Sequence, residues 1–281
     1  MRSRLPNGNE FNPRSVTIFS VPIDLSRPHI DRHPLSPNPK FYMFPIDDNN
    51  PTRITPVVTY GLIAANVLVF IYELSFPERQ LTSFFYQWAV VPAQLTGAFA
   101  GTPLPILSGE PPEVLTLITS QFLHGGFAHI AGNMLFLWIF GNNVEDQLGH
   151  FKFLFFYLTC GVLASLAQWY FSQGSQIPSL GASGAIAGVM GAYIIRFPNA
   201  NVRTVIPIGI FPFFTNIPAY FYLGIWFFQQ ALYSFATLAP RTNVGMENGG
   251  IAYWAHAGGF VFGAILGPLL GLFSQRSEAR F

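Results

Sequence analysis

Apolar residues in this chain fall in blocks too long for strands and too unbroken for the surface helices of a soluble domain. Crossing the hydrocarbon of a bilayer takes about 20 apolar residues. Four blocks approach that length: Ile54 to Leu74, Leu123 to Gly141, Phe151 to Phe171 and Ile251 to Phe273. A shorter block, Ser183 to Phe197, is closed by Pro198, and another, Pro218 to Leu238, follows the helix-breaking Pro207 and Pro212. The pattern predicts six membrane-spanning helices, hence an all-α polytopic membrane protein with its folded domain over residues 54–273. The short fourth block is informative, because a helix too short for the bilayer begins below the membrane surface, against protein or a water-filled cavity. Ser183 is its first residue.

Composition agrees with the pattern. The 281 residues are 51% apolar and only 10% charged, where soluble domains carry about 25% charged residues. The net charge of +1 and the lack of any basic run give no field for nucleic acid. The single cysteine, Cys160, sits within an apolar block, so no intrachain disulfide or thiolate metal site can form, and it is read as a packing residue. Residues 1–53 are polar and rich in proline and predict a disordered tail; residues 274–281 predict a short C-terminal one. No secretory signal precedes the first block, and Glu10, Asp24 and Asp31 count against an organellar transit peptide, so the first span is expected to act as an uncleaved signal-anchor.

Of the 14 Lys and Arg residues, only Arg79 and Arg241 fall on the side opposite the tail. The positive-inside rule therefore puts both termini in the cytoplasm and makes the second, fourth and sixth spans start at the outer face. That places three motifs in one leaflet: His124-Gly125-Gly126-Phe127-Ala128-His129 with Asn133, then Gly181-Ala182-Ser183-Gly184, then Ala255-His256-Ala257-Gly258-Gly259. Polar and ionisable side chains at such depth are functional candidates by default. Gly259, Gly263 and Gly267 share the helical face of His256, and Gly184, Gly188 and Ala192 form a matching stripe beginning beside Ser183. Two small-residue stripes pressed together bring the imidazole within reach of the hydroxyl, although plain helix packing accounts for the glycines equally well.

A serine with a histidine base is an acyl-transfer pair, and such a site also needs donors for the developing oxyanion. His129 and Asn133 are four apart on one helical face, and the Ser183 amide is free at a helix start. His124 is read as a structural group bonding the glycine loop. Gln229 and Gln230 in the fifth block are read as interhelical hydrogen-bonding groups, with lining the hollow as the alternative. The pair His124 and His129 lacks the spacing and the acid of a zinc protease, and Ala185 replaces the second glycine of a hydrolase elbow. With no carboxylate inside a span, a Ser-His dyad is expected over a triad, without metal or cofactor.

These motifs together resemble the rhomboid intramembrane serine proteases, over roughly Asp48 to Phe273. The resemblance implies Ser183 as nucleophile, His256 as general base, and His129 with Asn133 assisting the oxyanion; Gly181, Gly184, Gly259 and Gly263 would be structural near the site. It implies cleavage of single-pass membrane proteins near the outer face, a first loop lying partly in the membrane, and a fifth span that gates lateral entry from the lipid bilayer. It also implies the six-span form of a bacterial cytoplasmic membrane, with residues 1–42 an extension before the lead Met43 to Arg53. The chain departs from the family at Leu115-Thr116, where a Trp-Arg pair is common, and at Ala187, where some members carry an aromatic that supports the base. An inactive client-binding relative and a small-molecule transporter are the other classes such a polar hollow could serve. Intact Ser183 and His256 speak against the first, and the lack of an internal repeat or buried carboxylate against the second.

Overall fold

A computed structural model describes residues 43–101, 112–208, 211–238 and 252–274; the expected tail over residues 1–42, Arg241, Ile251 and residues 275–281 lie outside the described residues. Helices occupy all six apolar blocks: α1 (Val57–Glu73), α5 (Phe127–Phe136) continuing through a π-helical turn into α6 (Asn142–Leu148), α7 (His150–Phe171), α8 (Ser183–Arg196), α9 (Ala219–Ala236) and α10 (Tyr253–Leu269). Between α1 and α5 lie three short helices, α2 (Glu78–Trp88), α3 (Pro92–Phe99) and α4 (Glu113–Thr119). Among the described helices, α7 alone is straight, long and apolar enough to cross a membrane; the stretches 113–122 and 127–148 pass only as a pair bent by 82°. Many large apolar side chains face outward, among them Leu68, Phe155, Phe228 and Ile265, all exposed. Apolar surface of that extent calls for a lipid surround.

The second block differs from expectation at its start. Leu123 is extended and the helix begins at Phe127, so His124 sits in the elbow before it. Gly126, with φ +156, stands as the residue before that helix. The elbow is held by Glu73, at the end of α1, whose carboxylate accepts the backbone N–H of His124 at 3.2 and 3.3 Å. The other end of α1 is tied down in the same way. Its free backbone donors at Val58 and Thr59 reach Glu145 at 2.9 and 2.7 Å, and Arg53 and Ile54 donate to Asp146.

The all-α expectation needs a correction. Residues 199–218 do not simply break a helix: β2 (Asn201–Ile208) and β3 (Phe211–Pro218) pair antiparallel, and β1 (Phe44–Asp48) joins β2 as the edge strand. The run Val202, Thr204 and Ile206 alternates β-branched residues at period two, which suits a pleated surface better than a helix. Pro207 stands opposite Pro212, so the two residues without an N–H face each other. Within the stretch expected to be disordered, residues 44–48 instead form β1, held by its pairing with β2. Asp48 at its end accepts hydrogen bonds from Tyr193 of α8 and from Asn143. Burial outweighs these donors and lifts the Asp48 carboxyl to about 6.

α8 is the central helix. Every residue from Gly184 to Tyr193 is buried, which explains why it is apolar all round and can be short: its 14 residues span about 21 Å, below the roughly 30 Å of hydrocarbon, and neighbouring protein surrounds its length. It packs against α10 through the two small-residue stripes. A side chain at Gly259 would overlap the Gly184 carbonyl, one at Gly263 the Gly188 backbone, and one at Gly267 would press on Ala192. Gly191 meets the Phe260 carbonyl in the same way. Here the colliding group is backbone, which cannot rotate away. Gly263→Ala should therefore lower the thermal midpoint of the purified protein in detergent, by a loss of about 1–3 kcal/mol or more. An unchanged midpoint would show that the two helices are free to separate.

Candidate active site

The stripe register sets the site. With Gly184 against Gly259, the head of α8 meets the first turn of α10, and the Ser183 hydroxyl lies 2.8 Å from Nε2 of His256. The other ring nitrogen, Nδ1, lies 2.9 Å from Oε1 of Gln230 on α9. An amide oxygen only accepts, so Nδ1 carries the proton and Nε2 is bare, ready to receive the serine proton. The Trp226 ring, one turn before Gln230, lies beside the imidazole with centroids 5.8 Å apart and planes at 37°.

Facing the dyad from α5 are His129 and Asn133. The Gly125 backbone N–H donates to Nδ1 of His129 at 3.3 Å, which leaves the proton on Nε2 and makes that nitrogen a donor. Nε2 points at the backbone of Gly181, two residues before the serine: a Cβ built there would come within 2.7 Å of it and 3.6 Å of the Asn133 Nδ2. Gly181 also has φ +122, a conformation costly for other residues, so both the space and the backbone require glycine. Its own N–H donates to the Ser120 carbonyl at 2.8 Å and fixes the loop.

His124 does something the sequence did not indicate. It is buried, and its Nε2 lies 2.9 Å from the Asn133 amide nitrogen. An Asn amide nitrogen only donates, so one of its two hydrogens goes to His124 and the second is left to face the site. The ring thus orients Asn133 rather than bonding the glycine loop. Among the described residues no group of three or more metal-ligating side chains occurs.

Ser183, His256, His129, Asn133 and Trp226 line one cavity of about 880 Å³, which Tyr86 of α2 also lines. Of the sequence-selected residues, the structure brings Ser183, His256, His129, Asn133, His124 and Gly181 together, with Gly184, Gly259 and Gly263 along the seam behind them. Gln229 is exposed and takes no part; Gln230 is buried against the base. Ala187 supplies no aromatic, and Trp226 from α9 stands by the ring instead. The available signal was a Trp and a Gln at i and i+4 on one face of an apolar helix, which does not reveal what that face meets.

A helical bundle that sets a serine, an imidazole and hydrogen-bond donors around one hollow has the parts that the acyl-transfer chemistry of a serine hydrolase uses. Comparison with known proteins gives the family: the rhomboid domain matches residues 111–273, and the chain belongs to the rhomboid family, whose members are integral membrane proteins. It is 31% identical over 172 residues to the mitochondrial rhomboid protein 1 of Saccharomyces cerevisiae, covering 59% of this chain and 44% of that one. It is 46% identical over 78 residues to the rhomboid protease GluP of Bacillus subtilis, covering 28% and 15%. With the human presenilin-associated rhomboid-like protein, mitochondrial, it shares 31% identity over 148 residues, covering 52% and 34%. The chain thus aligns with less than half the length of each of these relatives.

Proposed function

We propose that this protein is an intramembrane serine endopeptidase that cleaves the transmembrane segments of single-pass membrane proteins near the outer face, using Ser183 and His256 as a dyad. The observation that carries the reading is the 2.8 Å contact between the Ser183 hydroxyl and the bare Nε2 of His256. In the first half-reaction the hydroxyl oxygen attacks the scissile carbonyl while Nε2 takes its proton; the carbonyl oxygen becomes an oxyanion. In this reading the Nε2–H of His129, the free N–H of Asn133 and the Ser183 amide are the donors that receive it. Collapse of the adduct breaks the C–N bond, and the imidazolium returns its proton to the departing amine. Water then attacks the acyl-enzyme, giving its proton to the same nitrogen, and Ser183 recovers its proton as the new carboxyl terminus leaves.

Six spans with both termini in the cytoplasm form part of this reading, supported by the six helices in the apolar blocks and by the Lys and Arg distribution. Purified protein in lipid vesicles, given a single-pass substrate, should release two fragments cut within the outer half of its transmembrane segment, with mass mapping locating the cut. Intact substrate after prolonged incubation would overturn the assignment.

The oxyanion role makes a graded prediction. Asn133→Ala should lower kcat by about 10- to 1000-fold with little change in KM, since the donor acts chiefly in the transition state. A variant altered in KM alone would make Asn133 a substrate contact.

A further inference from the structure

The base has a second polar contact that the dyad chemistry does not itself require. Gln230 is buried, 9% exposed, in the middle of the apolar α9, and its Oε1 meets Nδ1 of His256 at 2.9 Å. A buried amide is costly unless bonded, and it is a poor choice for mere packing between two apolar helices. One turn earlier on the same helix, Trp226 lies against the same imidazole. Phe227 stacks on Phe260 of α10 at 4.6 Å between centroids, which holds the α9 and α10 faces together at this level.

We infer that Gln230 is a positioning residue for the general base, fixing the tautomer and ring orientation of His256 while Trp226 backs the ring, so that the support of the dyad resides on α9. This rests on the dyad reading above. A neutral imidazole has two tautomers, and only the one with the proton on Nδ1 offers a bare Nε2 to the serine. An acceptor at Nδ1 selects it, and the second contact limits rotation of the ring about its side-chain torsions. Gln230 therefore does the orienting part of what a carboxylate does in a Ser-His-Asp triad, without the charge that would stabilise the imidazolium. Ser234 satisfies its own hydroxyl on the Gln230 backbone carbonyl at 2.8 Å and leaves the side chain to the histidine. The titratable side chain facing His256 from another element is His129 on α5.

The test compares the parent, Gln230→Met and Gln230→Glu as full-length proteins in vesicles, reading kcat, KM, the pH profile and the thermal midpoint. Met keeps the length and bulk of the side chain and removes the acceptor, so kcat should fall about 10- to 100-fold, as losses of orienting partners do elsewhere, with KM and midpoint held. Glu restores an acceptor and adds charge. It should recover most of kcat and move the acid limb of the rate profile upward by about one pH unit or more, because a carboxylate favours the imidazolium. Unchanged kcat in Gln230→Met overturns the inference while leaving the protease reading intact. Should Gln230→Met fail to fold, Gln230→Glu decides alone, and an acid limb at the parent's pH overturns it. A parent that cleaves nothing and is not labelled at Ser183 removes the dyad reading, and this inference with it.

Discussion

Ser183→Ala is expected to abolish cleavage, lowering turnover on the order of 10⁴-fold or more, and to abolish covalent labelling by a serine-reactive fluorophosphonate. The reason is stoichiometric: the acyl-enzyme forms on that oxygen, and removing it leaves no group in the cavity that can take its place beside Nε2 of His256. Mass mapping of the labelled parent should find a single modified site. Labelling undiminished in Ser183→Ala would sink the assignment. The fold should survive, since Ser183 heads α8 without filling its buried face, which starts at Gly184.

His256→Ala should cost nearly as much, and the double variant Ser183→Ala, His256→Ala no more than either single one. Residues that act as a unit lose their whole effect at the first removal. His256 is only partly buried at the cavity wall, so the variant should extract from membranes folded, with a thermal midpoint lowered by no more than the loss of about 1–3 kcal/mol that an unbonded Gln230 oxygen costs. Equal turnover in variant and parent would refute the base role. A midpoint lowered well beyond that, with matching loss of activity, would instead make the imidazole a structural group between α9 and α10.

Much of the candidate site is legible in the sequence, and for a physical reason. Membrane-embedded polar residues are expensive, so the few that occur stand out against the apolar blocks, and charge counting predicts one side for their helix ends. His129 and Asn133 could be paired because four residues return to one helical face, and the two small-residue stripes could be matched because both repeat at intervals of about four. The sheet was not legible in this way. Residues 201–218 carry prolines that read as helix breakers, and β1 lies more than 150 residues from its partner β2, so the pairing leaves no local trace. The contact of His124 leaves no local trace for a related reason: its partner Asn133 lies across the elbow at Leu123 to Gly126, whose bend appears only in the fold.

By itself the sequence determined that the chain is a helical membrane protein and that Ser183 and His256 stand at the heads of two of its helices, since hydrophobic length, charge asymmetry and helical periodicity are local properties of the chain. Which nitrogen of His256 faces the serine, which hydrogen of Asn133 is free, and which nitrogen of His129 carries the proton were decided only by the tertiary structure. Each depends on a second hydrogen-bond partner contributed by another segment: Gln230 from α9, His124 from the elbow, and Gly125 for His129 through the turn that precedes α5. A tautomer is set by the partner across the interface, and that partner is chosen by packing.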